Sequence, residues 1–295
     1  MRIAVSGASG LIGSAVVPEL QAAGHEVVRL VRREPAAEGE IGWDPEGGTI
    51  DAESLAGVDA IVHLAGENVG QRWTKARRER ILHSRVAGTR LLAETVTALS
   101  PTPVLVCASA VGYYGPLGDE VVDESSPGGR GFLAGVVQAW EEAAQPAREA
   151  GARVAHLRCG LVLSRRGGAL ARLLPPFRLG LGGRVGSGRQ WWSWVTLADT
   201  AAAYRHAVEH GDVAGPVNVV APGTARNAEF VQALGKALRR PAVLPLPAFA
   251  VRAMFGQMGV EMLLGGQRVA PRVLEQRGFA FGQPTLDAAF AHELA

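Results

Sequence analysis

Arg2-Ile-Ala-Val-Ser-Gly-Ala-Ser-Gly-Leu-Ile-Gly13 opens the chain, and its reading decides the fold. Ile3–Ser6 is a short apolar strand. It runs directly into a turn holding Gly7, Gly10 and Gly13, and Leu11–Ala23 then reads as a helix that stops at Gly24. A strand, a glycine turn and a helix in that order form a cradle for a dinucleotide. The first glycine permits the tight turn and the second lets backbone approach a pyrophosphate. The third lets the helix pack closely on the strand. The helix N-terminus, with the backbone of Leu11 and Ile12, then presents free N–H groups to the phosphates, and Ser9 adds a hydroxyl. Glycines needed only for a plain tight turn would not all fall in the loop, yet the following helix has none before Gly24.

Moving outward, the second strand, Glu26–Val31, ends in Arg32 and Arg33. An acid at this place would hold the ribose hydroxyls of NAD. Arginine instead grips a 2′-phosphate through charged hydrogen bonds. The pair predicts NADP(H) as the cofactor. Glu34 argues the other way, because a register shift of one residue would bring it closer.

The pattern then repeats. Strands are expected at Ile61–Ala65, Val104–Ala108, Val154–Leu157 and Val217–Val220, with helices at Lys75–Leu99, Leu133–Ala150, Leu197–Glu209 and Ala228–Leu238. Alternation of this kind implies crossover units and a parallel sheet covered on both faces. The fold class is α/β: a Rossmann-type, doubly wound parallel sheet with a smaller, mainly helical C-terminal substrate domain. Residues 1–165 form the dinucleotide domain, completed by about 195–235. Residues 166–194, rich in Gly and Pro and suited to loops and short elements around a ligand, join 236–295 in the smaller one.

Bulk properties narrow the function. The net charge is +2 and the hydrophobic content 47%, as in ordinary globular chains. The densest basic run, Lys75-Ala-Arg-Arg-Glu-Arg80, includes an acid and reads as a solvated helix face, so no nucleic-acid partner is expected. No apolar run approaches the ~20 residues of a spanning helix, and no membrane partner is expected. Cys107 and Cys159 lie in apolar runs and read as core thiols, with a cytoplasmic location as the default. No cluster has metal-ligand spacing. The apolar faces of Lys75–Leu99 and Leu133–Ala150 leave room for a homodimer.

Further motifs make the fold specific. GASGLIG and Asp59-Ala-Ile-Val-His-Leu-Ala-Gly66 resemble signatures of the extended short-chain dehydrogenase/reductase family. Gly186-Ser-Gly-Arg-Gln-Trp-Trp-Ser-Trp-Val-Thr-Leu-Ala-Asp199 resembles its substrate-domain signature, and Val217-Asn218 matches a later strand. Trp43-Asp-Pro45, Gly66-Glu-Asn68, Ser84-Arg85, Gly112-Tyr-Tyr-Gly115, Leu174-Pro-Pro-Phe-Arg-Leu-Gly-Leu-Gly-Gly183 and Leu264-Gly-Gly-Gln-Arg268 look like one subgroup. This is the epimerase-like group, often labelled sugar epimerases or cell-division inhibitors, with its own C-terminal domain. The resemblance spans essentially the whole chain. It implies a site between the two domains, with the cofactor against Leu64 and Ala65 and with Arg85 and the backbone near Val162 contributing.

The family's usual chemistry needs Ser, Tyr and Lys, the last two four residues apart, so that Lys aids a phenol of pKa near 10. This chain cannot supply that pair. Gln71 and Gln232 stand four before its only lysines, Lys75 and Lys236. Leu117, Gly118 and Val208 stand four after its tyrosines, Tyr113, Tyr114 and Tyr204. With Glu141 in family register, the two places fall on Leu133 and Val137. Ser109 stands where the family keeps its catalytic hydroxyl, and Tyr113 or Tyr114 is the phenol left nearby. Local packing of both tyrosines is the simpler alternative. Trp192, flanked by Trp191 and Trp194, takes the place of the arginine that clamps a diphosphate. Three readings therefore stay open: an NADP(H)-dependent oxidoreductase on a small carbonyl or alcohol, an NADPH sensor with little catalysis, and a sugar epimerase.

Overall fold

The computed structural model describes all residues, Met1–Ala295. Its central sheet is built from β1 (Arg2–Ser6), β2 (Glu26–Val31), β3 (Glu40–Asp44), β4 (Thr49–Ile50), β5 (Ala60–His63), β6 (Val104–Ala110), β7 (Val154–Cys159) and β8 (Gly215–Val219). The spatial order is β8-β7-β6-β5-β1-β2-β3-β4. All neighbours are parallel except β3 and β4. The chain leaves β1 in one direction and returns on its other side at β5. That reversal opens a crevice beyond the carboxyl ends of the two strands, where dinucleotides bind in such folds.

Alternation along each strand feeds two cores. Ile3 and Val5 of β1 face one side, where they meet Val16, Val17 and Leu20 of α1 (Gly13–Ala22). Ala4 faces the other side, with Leu92 and Val96 of α2 (Lys75–Ala98). Cys107 and Cys159 are buried and free, and burial pushes both thiols up to about 12, as fits inert core residues.

Two expectations change. Leu133–Ala150 is two helices, α3 (Phe132–Glu142) and α4 (Gln145–Glu149). Pro146 has no N–H to continue the ladder, so the helix breaks before it. Leu174-Pro-Pro-Phe lies in a helix and not in loops: α5 spans Gly168–Arg178 and buries Leu170, Leu174 and Phe177. Those positions follow helical spacing, a pattern masked by the adjacent glycines and prolines. Neither β3 nor β4 is foreseen from the sequence.

The smaller unit has its own core. α5 packs there with α7 (Asn227–Leu238) and α10 (Leu286–Leu294) through Phe230, Leu234 and Phe290. α7 thus sits in the smaller unit. Of the remaining helices, α6 (Leu197–Glu209) covers the main sheet, and α8 (Ala248–Gly259) packs Met258 against Trp73, Ile81 of α2 and Val136 of α3. α9 (Arg272–Gln276) returns to the main sheet, with Leu274 in its core.

Candidate functional site

The glycine turn is built as closely as its spacing implied. Gly7 has φ +68°, and a Cβ there would lie 2.8 Å from both Leu64 C and Ala65 N. This contact places Leu64 and Ala65, at the end of β5, against the turn. A Cβ on Gly13 would lie 2.3 Å from Gly7 O, so α1 can start where it does only with glycine. At Gly10 the one near atom is Gly7 O at 3.3 Å, and Ser9 and Gly10 are exposed. No side chain caps α1, and the N–H groups of Leu11, Ile12 and Gly13 meet no backbone acceptor. A helix start with free donors and a positive dipole end suits a pyrophosphate. Leu11 also touches the start of α5: a Cβ on Gly167 or Gly168 would lie 3.2 Å from its methyl groups.

The two arginines after β2 separate. Arg33 is paired with Glu40 at 2.5 Å and also donates to Glu34 O at 2.9 Å. Hydrogen bonding from Arg33 holds the Glu40 carboxyl below its ordinary value. Arg32 is exposed and lines a shallow pocket of about 290 Å³ with Glu34, Gly42 and Trp43. Both arginines line that pocket, but Arg33 is engaged by Glu40 of β3 and Arg32 has no hydrogen-bond or ion-pair partner. Sequence reading could not distinguish them, because Glu40 belongs to the strand it missed.

Arg85 lies under the end of β5. A Cβ on Gly66 would sit 3.3 Å from its Cζ. Its guanidinium donates to the carbonyls of Glu67 and Ile81, at 3.0 and 3.1 Å, and rests 4.9 Å from the Trp140 ring centroid. Burial lowers its pKa to about 10, against the raising influence of Glu67. His63 donates to or accepts from Ser6 Oγ at 2.7 Å and is fully buried; burial, then Arg85, takes its pKa to about 3. It is a neutral structural histidine. Val162 lies in the short strand Leu161–Leu163, with its carbonyl facing the start of α5.

Beyond β6 the polar groups bond to one another. Ser109 Oγ donates to Glu141 Oε1 at 2.6 Å. Arg158 clasps the same carboxylate through Nε at 2.8 Å and Nη2 at 2.7 Å, and donates from Nη1 to Tyr114 OH at 3.0 Å. Tyr114 OH donates to Asn218 Oδ1 at 2.9 Å. Burial pulls the Arg158 guanidinium down, but Glu141 more than offsets this and holds it above the ordinary arginine value. Tyr114 is 1% exposed and burial raises its phenol. Its hydroxyl is engaged both as donor and as acceptor. Tyr113 differs. Its ring is half-buried and lies 3.4 Å above Arg158 Cζ, at right angles to Tyr114.

Leu133 and Val137 are apolar neighbours of this turn. A Cβ on Gly112 would lie 3.5 Å from Leu133 Cβ and 3.9 Å from Val137 Cγ2. The N-terminus of α3 is held by Glu261, just beyond α8, which accepts from the N–H groups of Phe132 and Leu133 at 3.2 and 2.9 Å. Asn218 and Glu261 were missed as site-building residues. Asn218 had a signal in Val217-Asn218, whereas Glu261 had none. Of the three indoles, Trp192 and Trp194 are core residues. Trp191 lies between Arg226 and Arg268, 4.6 Å from each, with its Nε1 on Asp119. None forms an open stacking surface.

Comparison with known proteins agrees with this geometry. The profile of the NAD dependent epimerase/dehydratase family matches residues 3–220, and a domain of unknown function matches residues 246–293. An epimerase family protein of Mycobacterium bovis is 46% identical over 291 residues, covering 98% of this chain and 96% of its own. The human epimerase family protein SDR39U1 is 42% identical over 300 residues, covering 100% of both. A crystal structure of human SDR39U1 (isoform 2) with NADPH superposes with a TM-score of 0.90 at 40% identity, covering 99% of each chain. The chain therefore belongs to the NAD-dependent epimerase/dehydratase family, within the extended short-chain dehydrogenase/reductases and beside the SDR39U1-type proteins that carry an extra C-terminal domain.

Proposed function

We propose that this protein is an NADP(H)-dependent oxidoreductase acting on a small carbonyl or alcohol, with Tyr113 in place of the usual Tyr–Lys pair. The observation that carries the reading is the difference between the two phenols: Tyr114 is sealed in hydrogen bonds, while Tyr113 has none to its hydroxyl and rests on Arg158. NADP(H) fits the other half of the crevice. The free N–H groups of Leu11, Ile12 and Gly13 would take the pyrophosphate and Arg32 the 2′-phosphate, and the human relative was crystallised with NADPH. When bound, this cofactor supplies or accepts the hydride.

The protein's part is to hold the substrate oxygen and move its proton. Glu141 takes the Ser109 hydrogen, so Ser109 Oγ is left to accept a hydrogen bond from an alcohol O–H. Tyr113 gives or receives the proton. Leu133 and Val137 keep water and competing charge away. Turnover of NADPH with a panel of small aldehydes and ketones tests this. Tyr113→Phe should lower it by about 10²–10⁴-fold with NADPH affinity unchanged, the range for a general acid. Full turnover in Tyr113→Phe overturns the assignment.

The sensor reading has one observation in its favour: the network of Ser109, Glu141, Arg158 and Tyr114 is closed on itself. Stoichiometric NADPH binding without consumption by any carbonyl would select it. The buried Trp192 at the diphosphate-clamp position speaks against the epimerase reading.

A further inference from the structure

Two stretches of the chain contain no acid: none stands between Glu149 and Asp199, and none between Glu229 and Glu261. Neither is a basic run, because its cations are spread out. The fold lays the middle of one beside the middle of the other. Leu244 N–H donates to Gly182 O at 3.0 Å, Leu246 N–H to Arg184 O at 2.9 Å, and Gly186 N–H to Leu246 O at 2.8 Å. Val185 and Leu246 form a parallel bridge.

This ribbon, between the end of α5 and the start of α8, gathers charge from both stretches. Arg178 and Arg184 come from the first, Arg239 and Arg240 from the second, and all four are exposed. The ion pairs of this region use Arg226 and Lys236 instead. Large exposed apolar side chains flank the ribbon along the chain, and Val243 lines a pocket with Arg184. Leu179 is 75% exposed, Val243 76% and Phe249, in the first turn of α8, 74%. Isolated exposed leucines need no explanation, but a group of them on one acid-free ribbon does.

We infer that this face docks on an anionic lipid surface. Four exposed arginines that no carboxylate pairs select an anionic partner, and basic residues near such a surface are drawn to its headgroups. The apolar tips select among anionic partners. A nucleic acid would answer the charge and leave Leu179, Val243 and Phe249 in water. A bilayer answers both, with headgroups at the arginines and the acyl boundary at the projecting side chains. No helix is long and apolar enough to cross a membrane, so the attachment is peripheral. This inference departs from the sequence expectation of no membrane partner. It also orients the site: α5, 11 residues long, starts against Leu11 at the glycine turn and ends at the ribbon.

Co-sedimentation of the full chain with vesicles tests the inference. Phosphatidylcholine vesicles with one part in three phosphatidylglycerol should bind at least ~10-fold more protein at low salt than phosphatidylcholine alone. Arg178→Glu with Arg240→Glu, and separately Val243→Ser with Phe249→Ser, should each reduce that binding by ~5-fold or more. Unchanged NADPH affinity in both variants shows the fold intact. Any of four results overturns the inference: no preference for the anionic vesicles; no loss in either folded variant; stronger retention on duplex DNA or polyglutamate than on the vesicles at the same salt; or a wild-type dimer that Val243→Ser with Phe249→Ser converts to monomer, which assigns the face to a second copy.

Discussion

The glycine turn and the β6 end lie along the same edge of the sheet, yet they dispose of their polar groups in opposite ways. At the turn, the N–H groups of Leu11, Ile12 and Gly13 meet no acceptor, and the exposed Arg32 has no partner. At β6, Ser109, Glu141, Arg158, Tyr114 and Asn218 satisfy one another in a continuous chain. Unsatisfied donors at an exposed helix start are tolerable because water or a ligand can take them. The same groups buried under β6 would be costly, so the fold closes them. One half is prepared for a ligand and the other is a scaffold, with Tyr113 at its edge.

That contrast can be broken from either side. The largest effect is expected in the scaffold. Glu141→Leu leaves the Arg158 guanidinium buried without its carboxylate and should cost about 3–5 kcal/mol in urea unfolding. Adding Arg158→Met should restore much of the loss, since both charges are then gone. If the single variant is as stable as wild type, the network is not a scaffold.

The next effect belongs to the ligand half. Gly13→Ala forces a methyl group toward Gly7 O and should weaken NADPH binding at least ~100-fold, about 2.7 kcal/mol, in a fluorescence titration. Arg32→Ala follows, at about 1.5–3 kcal/mol of NADPH affinity with NADH affinity unchanged, the range for a hydrogen bond to a charged group. Arg33→Ala should change NADPH affinity far less, because Glu40 already holds Arg33. Equal losses at the two arginines would show that the distinction between them is wrong. The smallest effect is Tyr114→Phe, about 1–2 kcal/mol of stability with NADPH affinity and turnover intact. A loss of turnover there would move the chemistry into the network.

Much of this was legible before folding. The glycine spacing and the strand–helix alternation are local patterns, and they located the crevice and its nucleotide end. The absence of a Tyr–Lys pair needed only the positions of two lysines and three tyrosines. The misses were also physical. Pro146 split an expected helix, helical spacing in α5 was hidden among glycines and prolines, and the separate fate of Arg32 and Arg33 depended on β3.

By itself, then, the sequence determined six strands of the sheet, the turn and the kind of ligand the turn accepts, because backbone conformation and periodic burial are set by residues a few positions apart. Only the tertiary structure decided which polar groups remain free. Tyr114 meets an Asn218 that lies 104 positions away, and Ser109 a Glu141 that lies 32 away. The basic ribbon likewise exists only once two acid-free stretches are laid together. A hydrogen bond or a field depends on distance in space, and no local pattern in the chain encodes it.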